Sequence, residues 1–219
     1  MKQIVTLFFL LSVALGSGFS QTVVYGENVQ KREIGPFHAI ETSSGIEVLI
    51  TRSNQEELAV SVGNKEYLDE VKTVVTGGVL KISRNIDWKF WNKWKNWKVK
   101  VYVSYKELES IKANSGGSIR GTDVNLTALN VRMNSGGTVN LSGSVGSLDI
   151  EANSGAQFRS YGLTAATCEA EVSSGGGIQV TVSKEISARA SSGGYIRFKG
   201  DGLIRDINVN SGGSVKRQN

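Results

Sequence analysis

The sequence of 219 residues predicts an all-β protein whose C-terminal half, residues 109–219, is a β-solenoid of about six coils. Three observations lead to this prediction. A Ser-Gly phrase returns every 18 to 20 residues, apolar residues alternate with polar ones before each copy, and an apolar residue stands four positions after each Ser. A period near 20 is typical of solenoids, and alternation at every second residue is typical of strands.

The first twenty residues are predicted to be a secretory signal peptide. Lys2 precedes an apolar run from Ile4 to Leu15, which has the length of a signal-peptide core and is too short to cross a bilayer of ~30 Å. Gly18 and Ser20 place small residues at the −3 and −1 positions, so cleavage is expected near Ser20. The alternative is a buried N-terminal strand or helix. The mature protein is expected in the periplasm or at the cell surface, without a transmembrane anchor.

Residues 21–108 are predicted to form an N-terminal β region. Apolar residues alternate around Val48 and around Val60, which indicates two strands. A short helix is expected from Glu66 to Lys72, followed by a Gly-rich turn at 76–78. Strands at 79–83 and 99–104 then bracket residues 84–98, which are interpreted as a long hairpin connection. Long connections often carry function.

This Trp/Lys connection, residues 84–98, has an unusual composition. Five basic residues oppose the single acid Asp87, and this net +4 equals the +5 of the whole sequence less Lys2. It also contains every Trp of the chain, so its candidate ligand contacts are Trp88, Trp91, Trp94, Trp97, Lys89, Lys93 and Lys95. Three interpretations stay open: a cap over the end of the solenoid, a platform for a glycan or another exported protein, and an anchor on an anionic membrane surface. Nucleic acid is not expected as a partner, because the protein is exported.

The turns and the interior of the solenoid follow from the repeated phrase. Its Ser residues are Ser115, Ser135, Ser154, Ser174, Ser192 and Ser211. The Gly after each Ser is expected to have a positive φ, with no room for a large side chain at Gly136 or Gly175. One interior column is expected to consist of Ile119, Val139, Phe158, Ile178, Ile196 and Val215.

A second candidate for ligand contact is the column five residues after each Ser. It contains no acid and consists of Arg120, Asn140, Arg159, Gln179, Arg197 and Lys216. Arg120, Arg159 and Arg197 would be roughly 10 Å apart, two strand spacings each, so an extended anionic polymer could lie along them. The alternative is a solvated surface whose charges prevent edge-to-edge pairing. By contrast, the column three residues before each Ser mixes both signs: Lys112, Arg132, Glu151, Glu171, Arg189 and Asn208.

The sequence offers little for catalysis or for cofactor and metal binding. The chain has one His and one Cys, so neither a Cys/His zinc site nor an internal disulfide can form. The carboxylates of the repeat are scattered, with no pair aimed at one bond as glycosidases require. We therefore expect no enzymatic activity, no cofactor and no metal; a polysaccharide-active β-helix is the less favoured alternative. Cys168 is expected in the core and His38 in a structural role.

Several segments together resemble the head GIN domain family, bacterial exported domains labelled as autotransporter adhesins. The resemblance rests on the Ser-Gly-Gly coils and on four further segments: Phe37-His38-Ala39-Ile40 leading into Ser43-Ser44-Gly45-Ile46-Glu47-Val48, Leu80-Lys81-Ile82-Ser83, Val99-Lys100-Val101-Tyr102-Val103 and Leu108-Glu109-Ser110-Ile111. The name-giving Gly-Ile-Asn stands here as Gly45-Ile46-Glu47. The resemblance implies a right-handed parallel β-helix-like fold, export, and an adhesin-like binding or scaffolding role without catalytic residues. A purely structural capped solenoid is the alternative.

Overall fold

A computed structural model describes residues 28–85 and 98–219 of the chain. The predicted signal peptide and residues 86–97 of the Trp/Lys connection lie outside the described residues. The strands are β1 Val29–Arg32, β2 Ala39–Thr42, β3 Glu47–Arg52, β4 Glu57–Val62, β5 Val71–Thr76, β6 Val79–Arg84, β7 Val99–Tyr105, β8 Ser110–Ala113, β9 Ser118–Met133, β10 Thr138–Ala152, β11 Gln157–Val172, β12 Gly177–Ala190, β13 Tyr195–Lys199, β14 Leu203–Val209 and β15 Ser214–Arg217.

The strands form a β-solenoid of about five turns, which confirms the predicted fold class. Two ladders of hydrogen-bonded strands run along the solenoid, and we call them face A and face B. Face A has the order β1-β4-β7-β3-β9-β10-β11-β12-β13-β15 and includes the strands that follow the Ser-Gly turns. Face B has the order β5-β6-β2-β8-β9-β10-β11-β12-β14 and includes the strands that precede the Ser-Gly turns. The long strands β9 to β12 contribute their first half to face A and their second half to face B. Apart from Ser160, whose hydroxyl accepts the Leu141 N–H, the buried inward side chains of these four strands are apolar and belong to one core.

Seven Ser-Gly turns stack along one edge of the solenoid. In each turn the Ser has φ between 46° and 61° and the Gly has φ between 71° and 75°. The Gly N–H donates to the Ser carbonyl of the next turn, at 3.0 to 3.2 Å. The first turn is Ser44-Gly45, which lies outside the six predicted turns. Its Gly45 N–H bonds Ser115 O although a long insertion separates the two turns in sequence. The six predicted turns enclose about five circuits, one fewer than the coils expected.

The predicted interior column is confirmed. Strand register places Val139 beside both Ile119 and Phe158, and carries the column on through Ile178 and Ile196. All five are fully buried, and Val215 ends the column half-buried. The N-terminal strands extend the same column by Val48, Val101 and Val60.

The prediction that Gly136 and Gly175 are crowded is wrong. Both have φ +72°, but a Cβ at either would meet no atom within 4 Å, so their glycine preference comes from backbone strain alone. The crowded glycines are those that follow them. A Cβ at Gly137 would lie 2.0 Å from Ala113 O, and one at Gly176 would lie 2.6 Å from Ala152 O. Ala156 takes this place in one coil and is buried there.

Two local predictions in the N-terminal region also need correction. The helix expected at 66–72 is a single 3-10 turn, Lys65–Tyr67, because strand β5 begins at Val71 and pairs antiparallel with β6. The connection 84–98 does not close a hairpin. β6 pairs with β2 on face B and β7 pairs with β3 on face A, so the connection joins opposite faces, as the first Ser-Gly turn does between β2 and β3.

Candidate functional site

The column of cations predicted from the repeat lies on the outside of face A. Parallel pairing places Asn140 beside Arg120. Further along the face it places Gln179 beside both Arg159 and Arg197, and Lys216 beside Arg197. The side chains of Arg120, Arg159, Arg197 and Lys216 are exposed, because alternate residues of each strand face the core.

Arg120 is neutralised by an acid that the repeat did not reveal. Its Nε lies 3.1 Å from Oε1 of Glu47, whose other oxygen lies 3.6 Å from Lys100 Nζ. Glu47 belongs to β3, which pairs directly with β9 although it precedes it by some seventy residues. If Ser44-Gly45 is counted as the first turn, Glu47 stands three residues after its Ser, as Ser118 does after Ser115. Glu47 therefore belongs to the column of Ser118, which adjoins the column of Arg120. The column itself contains no acid, but Glu47 of the adjoining column pairs with Arg120.

Four cations further along face A remain unpaired. Arg159, Arg197, Lys199 and Lys216 have no carboxylate within 4.0 Å in the part of the chain that the structure describes. Lys199 was not singled out from the sequence; it lies two positions beyond Arg197 on the same side of β13. These side chains give the C-terminal half of face A a local charge of about +4, which raises the local concentration of anions.

Two tyrosines complete this surface, and neither was selected from the sequence. The Tyr195 ring covers Gly177, and its hydroxyl donates to Gln157 Oε1 at 2.7 Å. The Arg197 guanidinium lies 5.1 Å from the centre of that ring, which is within cation–π range. Lys199 Nζ lies 5.2 Å from the centre of the Tyr161 ring. Burial raises the pKa of Tyr161, while the nearby charge of Arg197 lowers it.

We call these six residues the basic-aromatic patch: Arg159, Tyr161, Tyr195, Arg197, Lys199 and Lys216. It presents guanidinium and ammonium donors beside two half-buried aromatic rings. Guanidinium groups recognise carboxylates, sulfates and phosphates in a planar, bidentate manner, and the rings offer flat apolar contact. The patch can therefore bind an anionic ligand that also has apolar faces.

Face B differs because the cations of its mixed-sign column are neutralised. Lys112 pairs with Glu41 at 3.6 Å, and Arg132 pairs with Asp149 at 2.8 Å and with Glu151 at 3.2 Å. The hydrogen bonds that Arg132 donates to Asp149 raise the pKa of Arg132.

The same neutralisation continues toward the C-terminal end of face B. Arg189 lies 3.9 Å from both Glu169 and Asp206, and Arg205 pairs with Glu185 at 3.0 Å. The cations of the mixed-sign column are thus all ion-paired.

The remaining candidates add no second site within the described residues. Trp88, Trp91, Trp94, Trp97, Lys89, Lys93 and Lys95 lie outside them. Cys168 is in the core as predicted, and burial raises the pKa of its thiol to about 12. His38 packs on Gly78 and donates its backbone N–H to Gly78 O at 2.9 Å. Within ranges 28–85 and 98–219, no three His, Cys, Asp or Glu side chains are grouped to hold a metal, and no helix has the length and hydropathy to cross a membrane.

Comparison with known proteins identifies relatives by sequence and by fold. A family model described as "Putative auto-transporter adhesin, head GIN domain" matches residues 36–202. Among solved structures, a "putative adhesin" from Bacteroides fragilis superposes with a TM-score of 0.64 at 17% identity, covering 87% of this chain and 96% of the other. A "Putative lipid binding protein" from Parabacteroides distasonis gives 0.51 at 18% identity, with coverages of 87% and 96%. No curated protein matches the chain.

Proposed function

Since the chain belongs to the head GIN domain family of auto-transporter adhesins, we propose that it is an exported, non-enzymatic protein that binds an acidic glycan along face A. The observation that carries this proposal is the set of unpaired cations in the basic-aromatic patch. Every cation of the mixed-sign column on face B has a carboxylate within 4.0 Å, whereas Arg159, Arg197, Lys199 and Lys216 on face A have none in the described ranges.

The geometry of the patch favours a polymer over a small anion. Arg159 and Arg197 are separated by two strand spacings, about 10 Å, and Lys216 follows one spacing later, at about 5 Å. The cations therefore form a line along the solenoid axis instead of converging on one point. A linear polymer that repeats a carboxylate or sulfate could contact them in succession. The rings of Tyr161 and Tyr195 would pack against the apolar faces of its sugars.

Such binding should depend on several weak contacts together. Each cation is at least partly exposed, and single exposed ion pairs contribute only about 0–1 kcal/mol. Salt screens these contacts, since the Debye length is about 8 Å at physiological ionic strength. We therefore expect affinity to rise with polymer length and to fall with salt.

Paired charge-removal variants test the proposal. The mature protein, residues 21–219, is titrated with polygalacturonate and with neutral dextran, and binding is measured by calorimetry. Arg159→Gln together with Arg197→Gln should lower the affinity for polygalacturonate about tenfold or more. The matched control, Arg189→Gln together with Arg205→Gln, removes the same charge from face B and should change affinity less than about twofold. Equal loss in both double variants, equal binding of dextran, or preference for anionic lipid vesicles over polygalacturonate would each contradict the proposal.

The Trp/Lys connection is proposed on sequence grounds as a second region of contact. Its net +4 and four Trp favour an anionic ligand, and the strands that carry it, β6 and β7, flank the first Ser-Gly turn. Deleting residues 87–96 should preserve the melting temperature and weaken salt-sensitive retention on polygalacturonate. A lower melting temperature with unchanged retention would instead identify the connection as a cap.

Export itself is checked by N-terminal sequencing of the mature protein, which should start after Ser20.

A further inference from the structure

The two ends of the solenoid are built differently, and the C-terminal end is open. All seven residues of β14 are exposed. Register places Ile204, Ile207 and Val209 beside the buried residues Ile186, Ala188 and Ala190 of β12. These three side chains occupy interior positions of the last coil that the structure describes, yet they are 50%, 39% and 45% exposed.

The N-terminal end is closed by antiparallel strands and by an arginine. β1 pairs antiparallel with β4 at the edge of face A, and β5 pairs antiparallel with β6 at the edge of face B. The Arg32 guanidinium spans the two edges: it donates to the carbonyls of Leu68 and Val71 and to Thr73 Oγ1. Burial lowers the pKa of Arg32. Ile34 and Tyr67 pack against the core at this end.

We propose that the open C-terminal end is the interface of a two-fold symmetric dimer, in which β14 of each copy pairs with β15 of the other. The occupant must supply apolar side chains and unpaired strand edges, and a second copy of the same end supplies both. A two-fold axis perpendicular to the solenoid axis reverses the direction in which the coils of the second copy run. It therefore sets β14 antiparallel to the other copy's β15 where the two strands meet. A symmetric contact of this kind closes on itself and does not grow into a filament.

The charges at the open end favour pairing of β14 with β15 over pairing of β15 with itself. β14 carries Arg205, which pairs with Glu185, and Asp206, which lies 3.9 Å from Arg189 and whose side chain is 57% exposed, whereas β15 carries Lys216 and Arg217 and no acid. If β15 paired with itself, Lys216 and Arg217 would meet the same cations, and like charges opposite one another destabilise a sheet. Pairing β14 with β15 brings Asp206 of each copy toward Lys216 of the other. In the described residues, the edge strands of the N-terminal end are β1 and β5, which run antiparallel to their neighbours β4 and β6 and so differ from the parallel strands β14 and β15.

The first test measures the mass of the mature protein by light scattering after size-exclusion chromatography. The wild type should be a dimer at about 100 µM, and Ile207→Lys should be a monomer, because a charge in each apolar contact opposes association. Val74→Lys is the matched control, since Val74 is a comparably exposed apolar residue on β5, at the opposite end. It should stay dimeric. A monomeric wild type, or an Ile207→Lys variant that remains dimeric, would overturn the proposal.

Charge reversal tests which strands meet. Asp206→Lys and Lys216→Asp should each raise the dimer dissociation constant about tenfold, and the double variant should restore it to near the wild-type value. If the double variant is weaker than either single variant, β14 does not face β15 of the other copy. Both positions are exposed, so the variants should fold. Their circular dichroism spectra check this. The test uses no ligand and does not depend on the proposed glycan binding.

Discussion

Replacing Gly177 by Ala should disturb the proposed binding surface without disturbing the fold. A Cβ at this position would lie 2.3 Å from Cζ and 2.5 Å from the hydroxyl of Tyr195, and 2.6 Å from Gln157 Oε1. These are terminal atoms of side chains on the outside of face A. The added methyl group should therefore displace the Tyr195 ring and break its hydrogen bond to Gln157, while strand β12 keeps its place.

The expected magnitudes follow from these contacts. Loss of one neutral hydrogen bond costs about 1 kcal/mol, and replacing a Gly inside a strand by Ala recovers about 0.5–1 kcal/mol of backbone entropy. The free energy of unfolding should thus change by less than about 1 kcal/mol, which is a shift of at most about 2–4 °C in Tm for a chain of this size. If Tyr195 provides a flat contact for the ligand, its displacement should weaken binding about fivefold or more.

Scanning calorimetry and polygalacturonate titration together check this reasoning. Tyr195→Ala serves as the comparison, because it removes the ring and leaves Gly177 uncovered; it should lose affinity to the same extent as Gly177→Ala. Two results would refute the reasoning. If Gly177→Ala binds like the wild type while Tyr195→Ala does not, the methyl group does not displace the ring. If Gly177→Ala lowers Tm by more than about 8 °C, Gly177 is required by the backbone.

Three further predictions concern stability and reactivity. Ile178→Asp should lower Tm by more than about 10 °C, because an unpaired charge in the core costs several kcal/mol; an unchanged melt would contradict the interior column. Gly137→Val should destabilise more than Gly136→Val in thermal melts, since only Gly137 faces a backbone carbonyl at 2.0 Å, and the reverse order would show that backbone strain dominates. Cys168, whose thiol pKa is about 12, should resist a thiol reagent at pH 8 until urea unfolds the chain; labelling of the native protein would show that the core opens.

Much of the fold could be predicted because the coil interactions are local and periodic. Alternation at every second residue identified the inward side chains, such as Val139 and Phe158, since a strand exposes and buries its residues in turn. The Ser-Gly phrase identified the turns, because both of its residues adopt positive φ. Equal spacing of the copies then implied stacking in register. Errors arose where the period is interrupted: Ser44-Gly45 was left out of the repeat, and the strands around residues 84–98 were joined as a hairpin.

The candidate site was predicted only in part, because its character depends on contacts across coils. The sequence placed Arg159 and Arg197 in one column, and the register agrees. It did not indicate that Glu47 would neutralise Arg120, since Glu47 lies in an N-terminal strand that an insertion separates from the repeat. Nor did it select Tyr195, whose ring reaches across the gap left by Gly177.

The sequence by itself determined the coil: its length, its turns, its inward residues and the columns that identical positions form when coils stack. These properties repeat with every copy, so they can be deduced from one-dimensional spacing. Only the tertiary structure decided which charges are paired and which end of the solenoid is closed. The hydrogen bonds from Arg32 to Leu68 and Val71, and the ion pair of Arg120 with Glu47, join segments that are remote in the chain. Burial and ion pairing depend on distance in space, and a repeat specifies that distance only between neighbouring coils.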